Sequence, residues 1–211
     1  MEKTLEQIIK ARRSTRSFGA GVPSSEQMKA ILESAVYAPY GGATGIPLKE
    51  IRRLFVLPLG TVARTKFDDI FMKQLAANGR KLRRIITFLP FMRKKLGSFA
   101  GRIEKMVANG IPALEQAPYI VIIAEKKGFP LVEKQSMAHA LENMWLTATD
   151  LDLGFQLISA IGTLSGNKKF MELLGLEPGK YGIEGCAIGY AKKKTERPEK
   201  TDTDKFVKWF A

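Results

Sequence analysis

Apolar residues recur at helical spacing in two segments near the amino terminus of the chain. A Thr4-x-x-Gln7 capping box begins the first segment, and a Ser24-x-x-Gln27 box begins the second. The second helix is expected to end before Pro39, because the residue that precedes a proline disfavours helical backbone. Both helices are amphipathic, so each needs a partner surface for its apolar stripe.

The later part of the chain alternates between strand-like and helix-like patterns. The clearest strand is residues 119–124, an almost wholly apolar, largely β-branched run of the kind that is buried on both faces. Weaker strands are predicted at residues 51–57, from Leu153 onward, and at residues 184–190. A long helix at residues 136–151 and a helix capped by Asn167 lie between them. Because strands and helices do not alternate regularly, the pattern predicts an α+β fold with a small mixed or antiparallel central sheet flanked by helices.

Residues 60–115 differ from the rest in charge. The chain carries a net charge of +13, and this segment, with twelve Lys/Arg and four Asp/Glu, contributes +8 of it. Its pattern is helical, with interruptions expected at Gly79, Pro90 and Gly97. We therefore expect one domain over residues 1–211 that contains a basic helical insertion at about residues 60–115.

Composition excludes several classes of site. One cysteine and one histidine cannot form a disulfide framework or a Cys/His metal site. Residues 162–168 resemble a phosphate-binding loop but lack its spacing and its closing triplet, and no G-x-G-x-x-G follows a predicted strand. The amino terminus has no apolar core of a signal peptide, so a cytoplasmic location is expected. Without a self-sufficient catalytic set, the chain is expected to rely on a bound cofactor.

His139 and Cys186 each have a structural explanation that is simpler than a chemical role. His139, on the long helix, is more simply a packed core or subunit-interface residue than a proton donor. Cys186, in an apolar strand, is most simply a small hydrophobic residue.

Residues 12–16 are the strongest candidate for binding an anion. They place Arg12, Arg13, Ser14 and Arg16 within five consecutive positions. The hydrogen-bond donors of arginine match the geometry of phosphate and carbonyl oxygens. The alternative is a solvated helix face. A glycine-rich loop follows the second helix, and its backbone can approach a planar ligand closely. The loop candidates are Pro39, Tyr40, Gly41 and Gly42, and the alternative for them is a plain flexible loop.

These segments occur in the order found in a known family. The motifs are R-R-S-x-R at 12–16, V-P at 22–23, A-P-Y-G-G at 38–42, L-D-L-G at 151–154, L-L-G-L at 173–176, and I-G-Y at 188–190 before a basic tail. In this order they resemble the flavin-dependent nitroreductase family. The resemblance implies FMN bound between two identical subunits, with a carboxy-terminal segment that wraps the partner subunit.

The resemblance also implies roles for individual residues. Arg12 and Ser14 would hold the FMN phosphate and ribityl oxygens, with Arg16 beside the same groups or the ring edge. The basic tail would complete the phosphate site, and the segment after Gly154 would approach the ring. The full set of implied cofactor-binding residues is Arg12, Arg13, Ser14, Arg16, Pro39, Tyr40, Gly41, Gly42, Ile158, Ser159, Arg197 and Lys200.

The chain departs from the family pattern at one place. The family's Asn and Gln-Pro-Trp are absent, since residues 43–48 read Ala-Thr-Gly-Ile-Pro-Leu. The polar contact to the flavin pyrimidine must therefore come from backbone or another side chain, for which Thr44 is one candidate.

The expected activity is that of an FMN oxidoreductase. Reduced nicotinamide (NADH or NADPH) would deliver hydride to the flavin, and an electron-poor acceptor, a nitroaromatic or a quinone, would then take its place in a ping-pong cycle. One alternative is a flavin-binding protein of the same fold without reductase activity.

The other alternative is a non-enzymatic binder of nucleic acid or of an anionic membrane through the basic insertion. The basic residues of the insertion bracket apolar ones, a pattern that suits an anionic membrane surface or, in a flavin enzyme, a lid that admits an anionic donor. Aliphatic residues between the charges and few stacking aromatics disfavour nucleic acid.

Overall fold

A four-stranded antiparallel sheet lies at the centre of the molecule. The computed structural model describes residues 3–40, 45–193 and 202–210. The strands follow the order β1-β2-β4-β3 across the sheet, and every neighbouring pair is antiparallel. Their bounds are Arg52–Pro58 (β1), Tyr119–Lys126 (β2), Gly154–Leu157 (β3) and Tyr181–Gly189 (β4). The predicted α+β fold with a small antiparallel sheet is confirmed.

Helices surround this sheet. Their bounds are Leu5–Ala11 (α1), Ser25–Val36 (α2), Leu48–Ile51 (α3), Val62–Phe88 (α4), Arg93–Asn109 (α5), Pro112–Gln116 (α6), Glu133–Asp150 (α7) and Lys168–Leu173 (α8). Short 3-10 helices cover Pro90–Met92, Ser159–Gly166 and Thr203–Lys205. The capping boxes at Thr4 and Ser24 form as predicted, and the Asn167 side chain caps α8.

Strand β2 divides the core between the two faces of the sheet. Ile120 and Ile122 point to one face, against α4, α8 and the 159–166 helix, whereas Val121 and Ile123 point to the other, against α2 and α7. This alternation follows from the two-residue repeat of a strand, and both sets are fully apolar because helices cover both faces.

Cys186 lies at the centre of this sheet. It belongs to β4, has no exposed surface and packs in the core formed with α2 and α7. Burial raises the pKa of its thiol far above the usual value. The prediction of a small hydrophobic residue is confirmed.

Helices α4 and α5 form a hairpin in the predicted basic segment. The expected break at Pro90 is correct, but those at Gly79 and Gly97 are wrong, because α4 and α5 run through these glycines without interruption. Gly79 is buried where the helices cross, and a Cβ there would lie 3.0 Å from the Ile103 Cγ2 atom. Its missing side chain thus permits close helix packing and does not end the helix.

The carboxy-terminal residues 202–210 expose their aromatic side chains. Phe206, Trp209 and Phe210 have exposed fractions of 76%, 89% and 85%. Among the described helices, none combines the length and hydrophobicity required to cross a lipid bilayer.

Candidate functional site

The arginine-rich segment is attached to the edge of the sheet. Ser14 forms a parallel bridge with Phe155 of β3, and the Thr15 N–H donates to the Phe155 carbonyl oxygen at 2.9 Å. Gly154 makes this approach possible, because a Cβ at that position would lie 2.7 Å from the Thr15 Cγ2 atom. The backbone of residues 12–16 is therefore fixed beside β3, although it contains no regular element.

Trp145 of α7 supports the first arginine of the segment. The Arg12 guanidinium carbon lies 4.3 Å from the centre of the indole ring, and Arg12 Nε lies 3.2 Å from the Glu142 carboxylate. The same indole donates from Nε1 to the Arg13 carbonyl oxygen at 3.2 Å and stacks on Phe155. These contacts orient Arg12, while a third of its side chain remains exposed to an incoming anion.

The other residues of the segment differ in exposure. Arg13 and Ser14 are half-buried, and Arg16 is exposed. Within residues 3–40, 45–193 and 202–210, Arg16 has no hydrogen bond or ion pair. Its donors are therefore available to a ligand.

The end of β3 contributes two further predicted residues. The Ile158 N–H donates to the Gly185 carbonyl oxygen at 2.9 Å, and its side chain is buried, whereas Ser159 is exposed at the start of the 3-10 helix. Ile158 can thus approach a ligand only through its backbone.

Gln156 is a polar residue of this strand that sequence reasoning missed. Its Oε1 atom is buried and has no hydrogen-bond partner in the described part of the chain. A buried acceptor without a donor is costly, so the site favours a ligand that supplies one. The available signal was a single amide within the otherwise apolar stretch 153–158.

Pro39 and Tyr40 belong to a second group of residues, at the end of α2. Arg52 donates from Nη1 to the Ala38 carbonyl oxygen at 3.0 Å and from Nη2 to Ser136 Oγ at 3.0 Å. Arg52 Nε also donates to Glu125 Oε1 at 2.6 Å. This buried cluster satisfies carbonyl groups at the end of α2 and fixes the chain that enters the glycine-rich loop.

Sequence reasoning also missed this cluster. In the sequence, this cluster is indicated only by a charged residue at the end of each apolar strand: Arg52 begins β1, and Glu125 follows the apolar run of β2.

Tyr40 is half-buried near two carboxylates, and Pro39 is exposed. Burial raises the pKa of the Tyr40 phenol, and the negative charges of Glu125 and Glu133 raise it further. The phenol therefore stays neutral and can donate a hydrogen bond at physiological pH.

Within the described residues, these two groups contact α7 at different places. In that part of the chain, no hydrogen bond, ion pair or ring contact links Pro39 or Tyr40 to Arg12, Ser14 or Arg16. They contact α7 at Ser136 and at Glu142, about 9 Å apart along a helix axis. Gly41, Gly42, Thr44, Arg197 and Lys200, which the sequence also suggested, lie outside the described residues.

An open cavity of about 530 Å³ adjoins Ser159. Apolar residues of the α4–α5 hairpin form half of its lining, including Leu82, Phe99 and Met106. Lys81 and Arg102 also line it, together with Ser159 and Thr163. This composition suits an apolar molecule that carries a negative group.

His139 takes no part in these clusters. It is exposed on α7, so the expectation of a packed core residue is wrong, and an interface role stays a prediction. No group of three or more metal-binding side chains occurs in the part of the chain that the structure describes.

Several solved structures are similar to this chain over nearly its whole length. A nitroreductase with bound FMN from Bacteroides fragilis is 20% identical, with 99% of this chain and 100% of that chain covered and a TM-score of 0.72. A nitroreductase with bound FMN from Desulfitobacterium hafniense is 19% identical, with 100% of both chains covered and a TM-score of 0.70. An FMN- and NADPH-dependent nitroreductase from Sphigopyxis sp. strain HMH is 18% identical, with 99% of this chain and 100% of that chain covered and a TM-score of 0.68.

Sequence comparison gives the family directly. No curated protein matches the chain. The model of the nitroreductase family, however, matches residues 9–190, which include the arginine-rich segment, the sheet and the hairpin. The chain therefore belongs to the nitroreductase family.

Proposed function

We propose that the protein is an FMN-dependent oxidoreductase that passes electrons from reduced nicotinamide to a small, electron-poor acceptor. The observation that carries the proposal is the attachment of residues 12–16 to β3, which fixes the backbone that carries Arg12, Ser14 and Arg16. Membership of the nitroreductase family and the FMN in two similar structures support it.

The residues present fit the chemistry of FMN. Arg12 and Arg16 offer charged donors to a phosphate, and Ser14 offers a hydroxyl to the phosphate or ribityl oxygens. Each charge-assisted hydrogen bond contributes about 1.5–3 kcal/mol, and micromolar binding needs about 8 kcal/mol. Two or three such bonds therefore supply a large part of this free energy. The buried Gln156 Oε1 would accept from a hydroxyl or ring N–H of the cofactor.

The proposal includes a homodimer. In the described part of one chain, Pro39 contacts α7 at Ser136 and Arg12 contacts it at Glu142, and a second copy would bring its own Pro39–Tyr40 group to the cofactor held by the first. The exposed Phe206, Trp209 and Phe210 would then be covered by the partner, and Arg197 and Lys200 in the preceding tail would reach the phosphate.

The chain's own residues would bind and orient the reactants. When bound, FMN supplies the hydride-accepting and hydride-donating chemistry, so no protein acid or base is needed for the first half-reaction. The Trp145–Phe155 stack holds Arg12 in place, and the Ile158 backbone would approach the flavin ring. The neutral Tyr40 phenol can donate a hydrogen bond to a bound oxygen.

The cavity beside Ser159 suggests the classes of donor and acceptor. Its apolar lining would accept a nitroaromatic or quinone ring, and Lys81 and Arg102 would attract the phosphates of a nicotinamide nucleotide. NADPH is the donor that we favour, since the similar Sphigopyxis enzyme is described as NADPH-dependent.

The test is a visible absorption spectrum of the purified protein, followed by anaerobic titration with NADH and NADPH. We expect bound flavin that bleaches with at least one donor and regains its colour on addition of a quinone. Arg12→Ala and Arg16→Ala should each lower FMN occupancy, whereas the exposed Arg53→Ala should not. A colourless protein that takes up no FMN, or full occupancy in both variants, would contradict the proposal.

One alternative function keeps the same site. The absent Asn and Gln-Pro-Trp leave room for a protein that binds flavin but does not reduce substrates. This alternative predicts a yellow protein whose flavin absorbance is not bleached by NADH or by NADPH.

A further inference from the structure

The tip of the α4–α5 hairpin exposes a compact apolar group. Phe88 ends α4, Leu89 follows as its C-cap, and Phe91 lies in the 3-10 turn after it. Their exposed fractions are 80%, 44% and 75%. Two largely exposed phenylalanines beside a leucine are costly in water, so this group needs a partner surface.

Folding of the hairpin itself does not cover the tip. The helices pack on each other and on the domain nearer their base, where Leu75, Gly79, Ala100 and Ile103 are buried. Beyond this contact, Phe88 and Phe91 remain at least three-quarters exposed.

Both helices of the hairpin carry many positive charges. Residues 80–105 contain nine Lys/Arg and a single acidic residue, Glu104, which gives a net charge of +8. Glu104 is already paired with Arg83. The other eight cations are exposed: Arg84, Arg93, Lys94 and Lys95 lie nearest the turn in sequence, and Arg80, Lys81, Arg102 and Lys105 lie farther along the two helices.

We propose that the hairpin tip docks the protein on an anionic phospholipid bilayer. Phe88, Leu89 and Phe91 would enter the boundary between headgroups and acyl chains, and the flanking cations would bind the headgroup phosphates. Such a surface supplies apolar volume and negative charge together, which matches the arrangement of the hairpin.

Two other partners match the tip less well. A second copy of the hairpin would bring two segments of charge +8 together, which repel each other. Nucleic acid would satisfy the cations, but an exposed leucine between two phenylalanines gains little from base stacking.

The proposal does not rest on the flavin chemistry, and its test is independent of it. The full-length protein, saturated with FMN, is mixed with phosphatidylcholine vesicles that contain or lack phosphatidylglycerol, and bound protein is separated by flotation. We expect binding to the anionic vesicles that weakens with salt, and little binding to neutral ones.

Substitutions distinguish the contribution of apolar insertion to vesicle binding from that of positive charge. Phe88→Ser/Phe91→Ser should weaken binding to anionic vesicles by about tenfold, whereas Phe129→Ser, at an equally exposed phenylalanine outside the hairpin, should not change it. Lys94→Ser and Lys95→Ser should each reduce binding by about fivefold and make it less sensitive to salt. Circular dichroism of each variant checks that the fold is retained.

Four results would overturn the proposal. The first is equal failure to bind both kinds of vesicle, and the second is unchanged binding in the phenylalanine variant. The third is a change of oligomeric state in that variant by sedimentation velocity, which would assign the tip to an interface between copies. The fourth is binding of a duplex oligonucleotide that competes fully with the vesicles and is unaffected by the phenylalanine substitutions. This result would assign the hairpin tip to nucleic acid.

Discussion

Arg52 and Glu125 lie directly opposite each other on β1 and β2 and form an ion pair that is almost completely buried. The Arg52 guanidinium also donates to carbonyl groups at the end of α2, so one side chain joins the sheet to the start of the glycine-rich loop. Removal of either charge would leave the other buried without compensation.

Arg52→Met should lower the free energy of unfolding by about 3–5 kcal/mol, because it leaves the Glu125 carboxylate buried and unpaired. Urea denaturation measures this loss. The neighbouring Arg53→Met, at an exposed position of the same strand, should stay within about 0.5 kcal/mol of the native protein. Equal stability of the two variants would show that the buried pair does not fix this part of the fold.

Gly154→Ala should disturb both stability and FMN binding. The new methyl group would meet the Thr15 side chain and separate residues 12–16 from β3, at a cost of about 1–3 kcal/mol. Gly166→Ala is the matched control, because no atom lies within 4 Å of a Cβ at that position. Fluorescence titration with FMN should show weaker binding only for the first variant; equal affinity in both would mean that the contact with β3 does not position the arginines.

Glu184 should make the protein less stable as pH rises. Burial raises the pKa of this carboxyl group, with partial opposition from Lys134, and its Oε2 atom has no hydrogen-bond partner in the described part of the chain. Since the folded-state pKa lies above the unfolded one, the folded state holds the proton more tightly. Stability is therefore lost as pH rises through the folded-state pKa.

The matching variant is Glu184→Gln, which imitates the protonated carboxyl group. It should be more stable than the native protein by about 1 kcal/mol at neutral pH, and the difference should shrink at about pH 5. Urea denaturation at both pH values measures it, with the exposed Glu33→Gln as control. A difference that does not vary with pH would exclude ionisation of Glu184 as its cause.

Trp209→Ser/Phe210→Ser should convert the proposed dimer to a monomer. Both side chains are more than four-fifths exposed in one chain, and truncating them removes the apolar area that a partner would cover. Sedimentation velocity at several concentrations measures the change, and Val62→Ser, an exposed apolar residue of α4, is the control. If the native chain is itself a monomer, the dimer in the proposed function is wrong.

Local signals in the sequence predicted the local structure well. The capping boxes at Thr4 and Ser24 and the Asn167 cap are each complete within four residues, so tertiary contacts are not needed to recognise them. The α+β class followed from the order of these elements, since predicted strands and helices do not alternate regularly along the chain.

Features that depend on distant parts of the chain were missed. Arg52 and Glu125 are 73 positions apart, and Trp145 lies 132 positions from the Arg13 carbonyl that it binds. Gly79 was misread because a glycine at a helix crossing has the same local pattern as a glycine that ends a helix. The cofactor-binding roles implied by the family are still predictions. Gln156 could not be identified from sequence, because that requires knowing which of its atoms are buried in the fold.

The isolation of Cys186 inside the sheet has a practical consequence. Because the only thiol of the chain is inaccessible and held protonated, alkylating reagents should leave the native protein unmodified. A cysteine introduced at the hairpin turn or beside Arg16 would then be the sole reactive position. Spin labels or fluorophores could thus be attached at one chosen point without first removing the native sulfur.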